Sequence, residues 1–149
     1  MREPDQLGVA AETLPLQNVH ILVVDDDEDI RTFLLAVFAD AGARVSEACD
    51  GLEAIEVARR VRPDLITLDL AMPGQDGVEA FSELRSTSGT EEIPVCILTG
   101  HPEFRAVIYD RRANPPEGFM AKPVDPDELV RTVRRILGLR RRQAARKPD

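Results

Sequence analysis

Cysteine, lysine and long apolar runs are all scarce in this chain of 149 residues. Its two cysteines, Cys49 and Cys96, lie far apart with no C-x-x-C pairing. They suit a reduced, cytoplasmic protein better than a disulfide scaffold or a zinc site. No apolar stretch approaches the ~20 residues of a membrane span, and the opening Met1-Arg2-Glu3-Pro4-Asp5 is polar and acidic. Neither a transmembrane helix nor a secretory leader is therefore expected. Only Lys122 and Lys147 are lysines among 19 basic residues. There is no internal repeat. What remains is 43% hydrophobic and 31% charged, the make-up of one ordinary domain with a packed core.

The net charge of −8 conceals two halves of opposite sign. Residues 1–129 carry 26 acidic and 11 basic side chains, whereas residues 130–149 carry one acidic and eight basic. An acidic body disfavours nucleic acid by bulk electrostatics, and only the tail could attract phosphate or an acidic surface.

Strand and helix signals alternate. His20-Ile21-Leu22-Val23-Val24 is a short apolar, β-branched run that stops at Asp25, as a strand buried on both faces does. Ile30, Phe33, Leu34, Val37, Phe38 and Ala41 then form a helical stripe, and Gly42 supplies the stop. Arg44 to Ala48 reads as a second strand. Asp50 caps a helix to about Val61, with Leu52, Ile55 and the alanines expected inward and Pro63 beyond it. A third strand, Leu65 to Leu68, ends at Asp69, and after Met72-Pro73-Gly74 a helix spans about 77–85. Ile93 to Thr99 is the fourth strand, with Pro94 marking its start. A weakly patterned helix is expected over 103–113, broken by Asn114-Pro115-Pro116. Gly118 to Ala121 is the fifth strand. The last helix has Asp125 as N-cap, Pro126 first and Glu128 to complete a capping box. Leu129, Val130, Val133, Ile136 and Leu137 form its inner face, and Gly138 its expected end. Five strands alternating with five helices predict an α/β fold with an open parallel sheet covered on both sides. Residues 1–17 read as a flexible flank, 18–138 as the domain and 139–149 as a basic tail.

Ligands in such sheets bind at the carboxyl ends of the strands. Asp25 and Asp26 follow the first inferred strand, Asp69 the third and Lys122 the fifth, while Thr99 ends the fourth. Carboxylates brought together repel one another and recruit a cation, and hard oxygen ligands suit Mg²⁺. A hydroxyl and an ammonium opposite the metal match the oxygens of a transferred phosphoryl group, which makes Asp69 the candidate nucleophile.

Val23-Val24-Asp25-Asp26, Asp69 with Met72-Pro73-Gly74 and Asp76-Gly77, Leu98-Thr99 and Lys122-Pro123 together resemble the response-regulator receiver family over roughly residues 19–138. The resemblance implies a doubly wound, flavodoxin-like (βα)5 fold with strand order 2-1-3-4-5. It implies Mg²⁺, with Mn²⁺ as an alternative ion, bound by Asp26 and Asp69, by Asp25 through water, and by the backbone carbonyl of Ala71. Asp69 would accept phosphate from a histidine kinase or phosphotransfer protein, and Lys122 would pair with that phosphate. The Lys122-Pro123 bond would be cis. Thr99 and Phe119 would form the switch that reorients on phosphorylation. The chain would be no enzyme beyond Mg²⁺-dependent self-phosphorylation and autodephosphorylation, a monomer or weak homodimer away from membranes.

Four features depart from the family pattern. The stretch from His101 to Gly118 is arginine-rich and contains Pro-Pro, Gly100 stands where alanine is commoner, and Phe119 lacks the frequent tyrosine hydroxyl. Ala71 and His101 occupy positions that family members use to tune loss of the phosphate. The 11 residues after Gly138 are too few for an output domain, so an unidentified downstream protein, a relay or a phosphate sink is expected.

Plainer readings compete. Asp25, Asp27 and Asp29 match the first three ligands of a calcium loop, but Ile30 and Ala36 stand where it needs glycine and glutamate. Asp27 to Asp29 complement a helix dipole. Thr99 could be a satisfied core hydroxyl, Lys122 a solvated cation and Phe119 plain core; His20 and His101 read as structural. A haloacid-dehalogenase-like phosphatase shares this chemistry, yet it needs a second aspartate where Ala71 stands. An adaptor gripping nucleic acid or an acidic partner through Arg140-Arg141-Arg142, Arg146 and Lys147 is the remaining alternative.

Overall fold

A computed structural model describes residues 14–71, 77–109 and 114–146. The expected Met72-Pro73-Gly74 and Asp76 lie outside the described residues, as do 110–113 and Lys147. Five strands form as read: β1 (His20–Val24), β2 (Arg44–Ala48), β3 (Leu65–Leu68), β4 (Val95–Thr99) and β5 (Gly118–Ala121). They pair in parallel in the order β2-β1-β3-β4-β5, the doubly wound arrangement. Strand β4 starts at Val95, two residues later than expected, directly after Pro94, which has no N–H to give the ladder.

The helices are α1 (Glu28–Asp40), α2 (Gly51–Val61), α3 (Gly77–Ser86), α4 (Phe104–Tyr109) and α5 (Pro126–Arg146). Alternate strand residues face opposite layers. Leu22, Val24, Ile66, Leu68, Val95 and Ile97 pack with Ala54, Ala58, Phe81 and Leu84 of α2 and α3. Ile21, Val23, Leu65, Cys96 and Leu98 pack with Leu34 and Phe38 of α1 and with Leu129, Val133 and Ile136 of α5. Burying each Val, Leu, Ile or Phe among them contributes about 1.5–3 kcal/mol, which makes the central strands the rigid base under their carboxyl-terminal loops. Among the described residues no helix is long and apolar enough to cross a membrane.

Three expectations need correction. Phe33 and Leu52 lie outward, 44% and 70% exposed, because the inner stripes are narrower than the apolar ones: Leu34 and Phe38 on α1, Ala54, Val57 and Ala58 on α2. Residues 14–17, expected within the flexible flank, pack on the domain: Leu16 is buried and its N–H donates to the Ala41 carbonyl at 2.7 Å, satisfying an orphan group at the end of α1. Gly42, with φ of +98°, makes the turn there, and Leu14 fills the space a side chain would need. Helix α4 is described over 104–109 of the expected 103–113, and 110–113 lie outside the described residues. Helix α5 runs through Gly138 to Arg146. Leu139 to Ala145 are mostly strong helix formers and no proline intervenes before Pro148, so one glycine does not end it.

Candidate functional site

The register sets the site. Val24 pairs with Leu68 on adjacent strands, so the next residues, Asp25 and Asp69, emerge side by side, and the Asp69 N–H continues the ladder to the Val24 carbonyl at 3.1 Å. On the other side of β4, Thr99 pairs with Ala121, and the Lys122 N–H donates to the Thr99 carbonyl at 2.8 Å. The Lys122-Pro123 peptide is cis.

Asp25, Asp26 and Asp69 each present a carboxylate oxygen within 4.8 Å of the others. Asp25 and Asp69 are buried, whereas Asp26 is exposed. The Lys122 ammonium lies 2.7 Å from Asp25 Oδ2 and 3.6 Å from Asp69 Oδ1. Burial pushes the Asp69 carboxyl above its ordinary value; the Lys122 charge opposes this, Asp25 repulsion adds to it, and the Ala71 N–H, donating to Asp69 Oδ1 at 3.3 Å, opposes it again. Three carboxylates against one ammonium leave excess negative charge, and a hard, all-oxygen donor set with one exposed member fits a hydrated divalent cation.

Other expected residues sit differently. Thr99 is fully buried, and its hydroxyl accepts the His101 N–H at 3.0 Å. Phe119 is set back inside β5, half-buried against the α2–α3 layer. Its ring lies 6.3 Å from that of Tyr109, with the Arg105 guanidinium 4.8 Å from the Tyr109 ring and 5.6 Å from Phe119. His20 shares a 2.7 Å hydrogen bond with Ser46, a structural role as read. Asp27 caps α1, its Oδ1 accepting the Asp29 N–H at 2.9 Å and the Ile30 N–H at 3.2 Å.

Two neighbours of the site had no role at the site assigned from the sequence. Gly77 opens α3 directly against the Asp69 carbonyl and the Leu70 backbone, where a Cβ would collide; its place in the Asp76-Gly77 motif was the only hint. Arg31 donates to the Asp25 carbonyl at 2.8 Å, and no pattern in α1 announces that contact.

A family model for the response regulator receiver domain matches residues 21–134. The chain belongs to the response-regulator receiver family. It is a receiver domain of two-component signal transduction, and that membership favours neither the phosphatase nor the tail-adaptor reading. Sporulation initiation phosphotransferase F of Bacillus subtilis (strain 168) is 34% identical over 125 residues, covering 84% of this chain and 98% of that one. Other curated relatives are longer, and the chain spans about half their length. The chemotaxis response regulator CheY4 of Vibrio cholerae superposes with a TM-score of 0.70 at 32% identity, over 79% of this receiver and 98% of CheY4. The receiver domain of sensor histidine kinase PA1611 from Pseudomonas aeruginosa PAO1, with a magnesium ion coordinated in its active site cleft, gives 0.69 at 30% identity, over 80% and 98% of the two chains.

Proposed function

We propose that Asp69 is the phospho-acceptor of this receiver, taking its phosphoryl group from the phosphohistidine of a histidine kinase or phosphotransfer protein. The observation that carries this is the buried Asp69 carboxylate, with oxygens of Asp25 and Asp26 within 4.8 Å and the Lys122 ammonium 3.6 Å away. An Asp69 oxygen attacks phosphorus, the phosphorus–nitrogen bond of the donor breaks, and the imidazole leaves with a proton from solvent. Asp26 and Asp69 would hold Mg²⁺ or Mn²⁺ together with the Ala71 carbonyl, and Asp25 would assist through water. Bound there, such an ion would supply charge neutralisation as the phosphoryl group approaches. Lys122 shifts from Asp25 to pair with the phosphoryl group as a point charge. The Thr99 hydroxyl, which accepts the His101 N–H, turns to donate its own proton to a phosphoryl oxygen, and Phe119 follows into the space vacated, altering the surface of α4, β5 and α5. An unidentified downstream protein reads that surface, with the receiver acting as a monomer or weak homodimer. Hydrolysis of the aspartyl phosphate resets it. Two free thiols, Cys49 exposed and Cys96 buried, support a cytoplasmic setting.

Incubation with a small-molecule phosphodonor and Mg²⁺, followed by intact-mass measurement, tests the assignment. The parent should gain one acid-labile phosphoryl group and Asp69→Asn none. Equal modification of the two proteins refutes it.

A further inference from the structure

Every polar group of Asp25 is held. Its N–H donates to the Ala48 carbonyl at 3.2 Å, Oδ1 accepts the Asp27 N–H at 2.9 Å, and Oδ2 accepts Lys122 at 2.7 Å. Its main-chain carbonyl accepts Nη1 of Arg31 at 2.8 Å. The same guanidinium uses Nε to reach Glu47 Oε1 at 2.9 Å, so one planar side chain ties α1 to β2 and to the loop after β1. It is largely buried, 16% exposed, and its geometry is fixed by two donors pointing at two partners.

That carbonyl belongs to the peptide plane joining Asp25 to Asp26. Fixing it fixes the direction in which Asp26 leaves the strand. Among the described residues no hydrogen bond reaches the Asp26 carboxylate, so its backbone is what aims it. We propose that Arg31 is a positioning residue for the divalent-cation site: by bridging Glu47 and the Asp25 carbonyl it orients Asp26 toward Asp69. This rests on the reading of the carboxylate cluster as a Mg²⁺ site.

The sign of the effect separates positioning from simple charge. A cation near a divalent-ion site weakens that site by Coulomb repulsion, so removing Arg31 on charge grounds alone tightens Mg²⁺ binding. Loss of an orienting partner behind a ligand does the reverse, commonly by 10–100-fold. Calorimetric titration of the full chain with MgCl₂ at constant ionic strength is the test, alongside thermal unfolding in EDTA. Arg31→Met should bind Mg²⁺ about tenfold more weakly than the parent. Arg31→Lys keeps the charge but cannot serve both partners, so it too should bind more weakly while retaining near-parent stability without metal. If Arg31→Met fails to fold, Arg31→Lys decides alone. Affinity equal to or tighter than the parent's, in whichever variants fold, overturns the role of Arg31 while leaving the Mg²⁺ site intact. A parent that binds no Mg²⁺ overturns the site reading and the inference with it.

Discussion

Asp69 is placed where its ionised form is least comfortable. Burial and the neighbouring Asp25 and Asp26 disfavour the anion more than Lys122 and the Ala71 N–H support it, so its pKa is raised. The folded protein therefore binds this proton more readily than the unfolded chain. The stabilisation that the protonated form brings is complete below the unfolded value of about 3.9 and is lost as pH climbs through the higher folded value. At neutral pH, in the absence of metal, the charged Asp69 is a liability to the fold. Asp69→Asn should consequently melt a few degrees above the parent at pH 7 in EDTA, with the gap closing as the pH is lowered and the parent carboxyl takes up its proton. Thermal unfolding across that range is the measurement; a parent that melts higher throughout would contradict this account of Asp69. A carboxylate stripped of water and crowded by like charge is the kind of group that perturbed functional sites contain, in keeping with the role proposed for Asp69.

At the scale of elements, the close approach of α3 to the end of β3 matters most for the site. A Cβ on Gly77 would fall on the Asp69 carbonyl oxygen and the Leu70 backbone, atoms that cannot rotate aside. Gly77→Ala should cost about 1–3 kcal/mol in urea unfolding and slow phosphorylation as well, since the displaced backbone is that of Asp69 itself. Unchanged stability would show that α3 can back away without disturbing the strand. How much of this was legible follows from the range of each signal. Strands β1 and β3 were plain because continuous apolar runs stop abruptly at Asp25 and Asp69, and α5 announced itself through Asp125-Pro126-x-Glu128, whose cap bond forms at 2.9 Å. Phe33 and Leu52 were misplaced because an apolar stripe gives the direction of a helix face, not its width. The two arginine clamps were invisible for a different reason: each joins one or more backbone carbonyls to one glutamate far away in sequence. Arg85, buried at the end of α3, donates to the carbonyls of Ile93, Asn114 and Pro115 and pairs with Glu117 at 2.7 Å, stitching the Pro-Pro segment to the helix. A carbonyl carries no residue identity, so neither this clamp nor that of Arg31 leaves a trace in local pattern.

At the scale of the molecule, the site exists only when the whole sheet has formed. Lys122 and Asp25 are 97 residues apart in sequence, and the unfolded chain has no reason to bring them or Asp69 together. A cation that needs all three carboxylates therefore binds the folded state alone and stabilises it by RT ln(1 + [L]/Kd), about 2.7 kcal/mol at a hundredfold excess over Kd. Melting temperature should rise with Mg²⁺ concentration and should rise less in Asp69→Asn, which offers the ion one fewer charged ligand. A matched series in NaCl separates this from screening of the acidic body, which carries −15 over residues 1–129 and gains from any salt. If NaCl of equal ionic strength raised the melting temperature as much as MgCl₂ did, the carboxylates would be responding to screening rather than to a bound ion. A specific excess for Mg²⁺ instead ties the fold's stability to the occupancy of its signalling site, because the strand order that buries the two hydrophobic layers is the same one that forces these like charges into a common cleft.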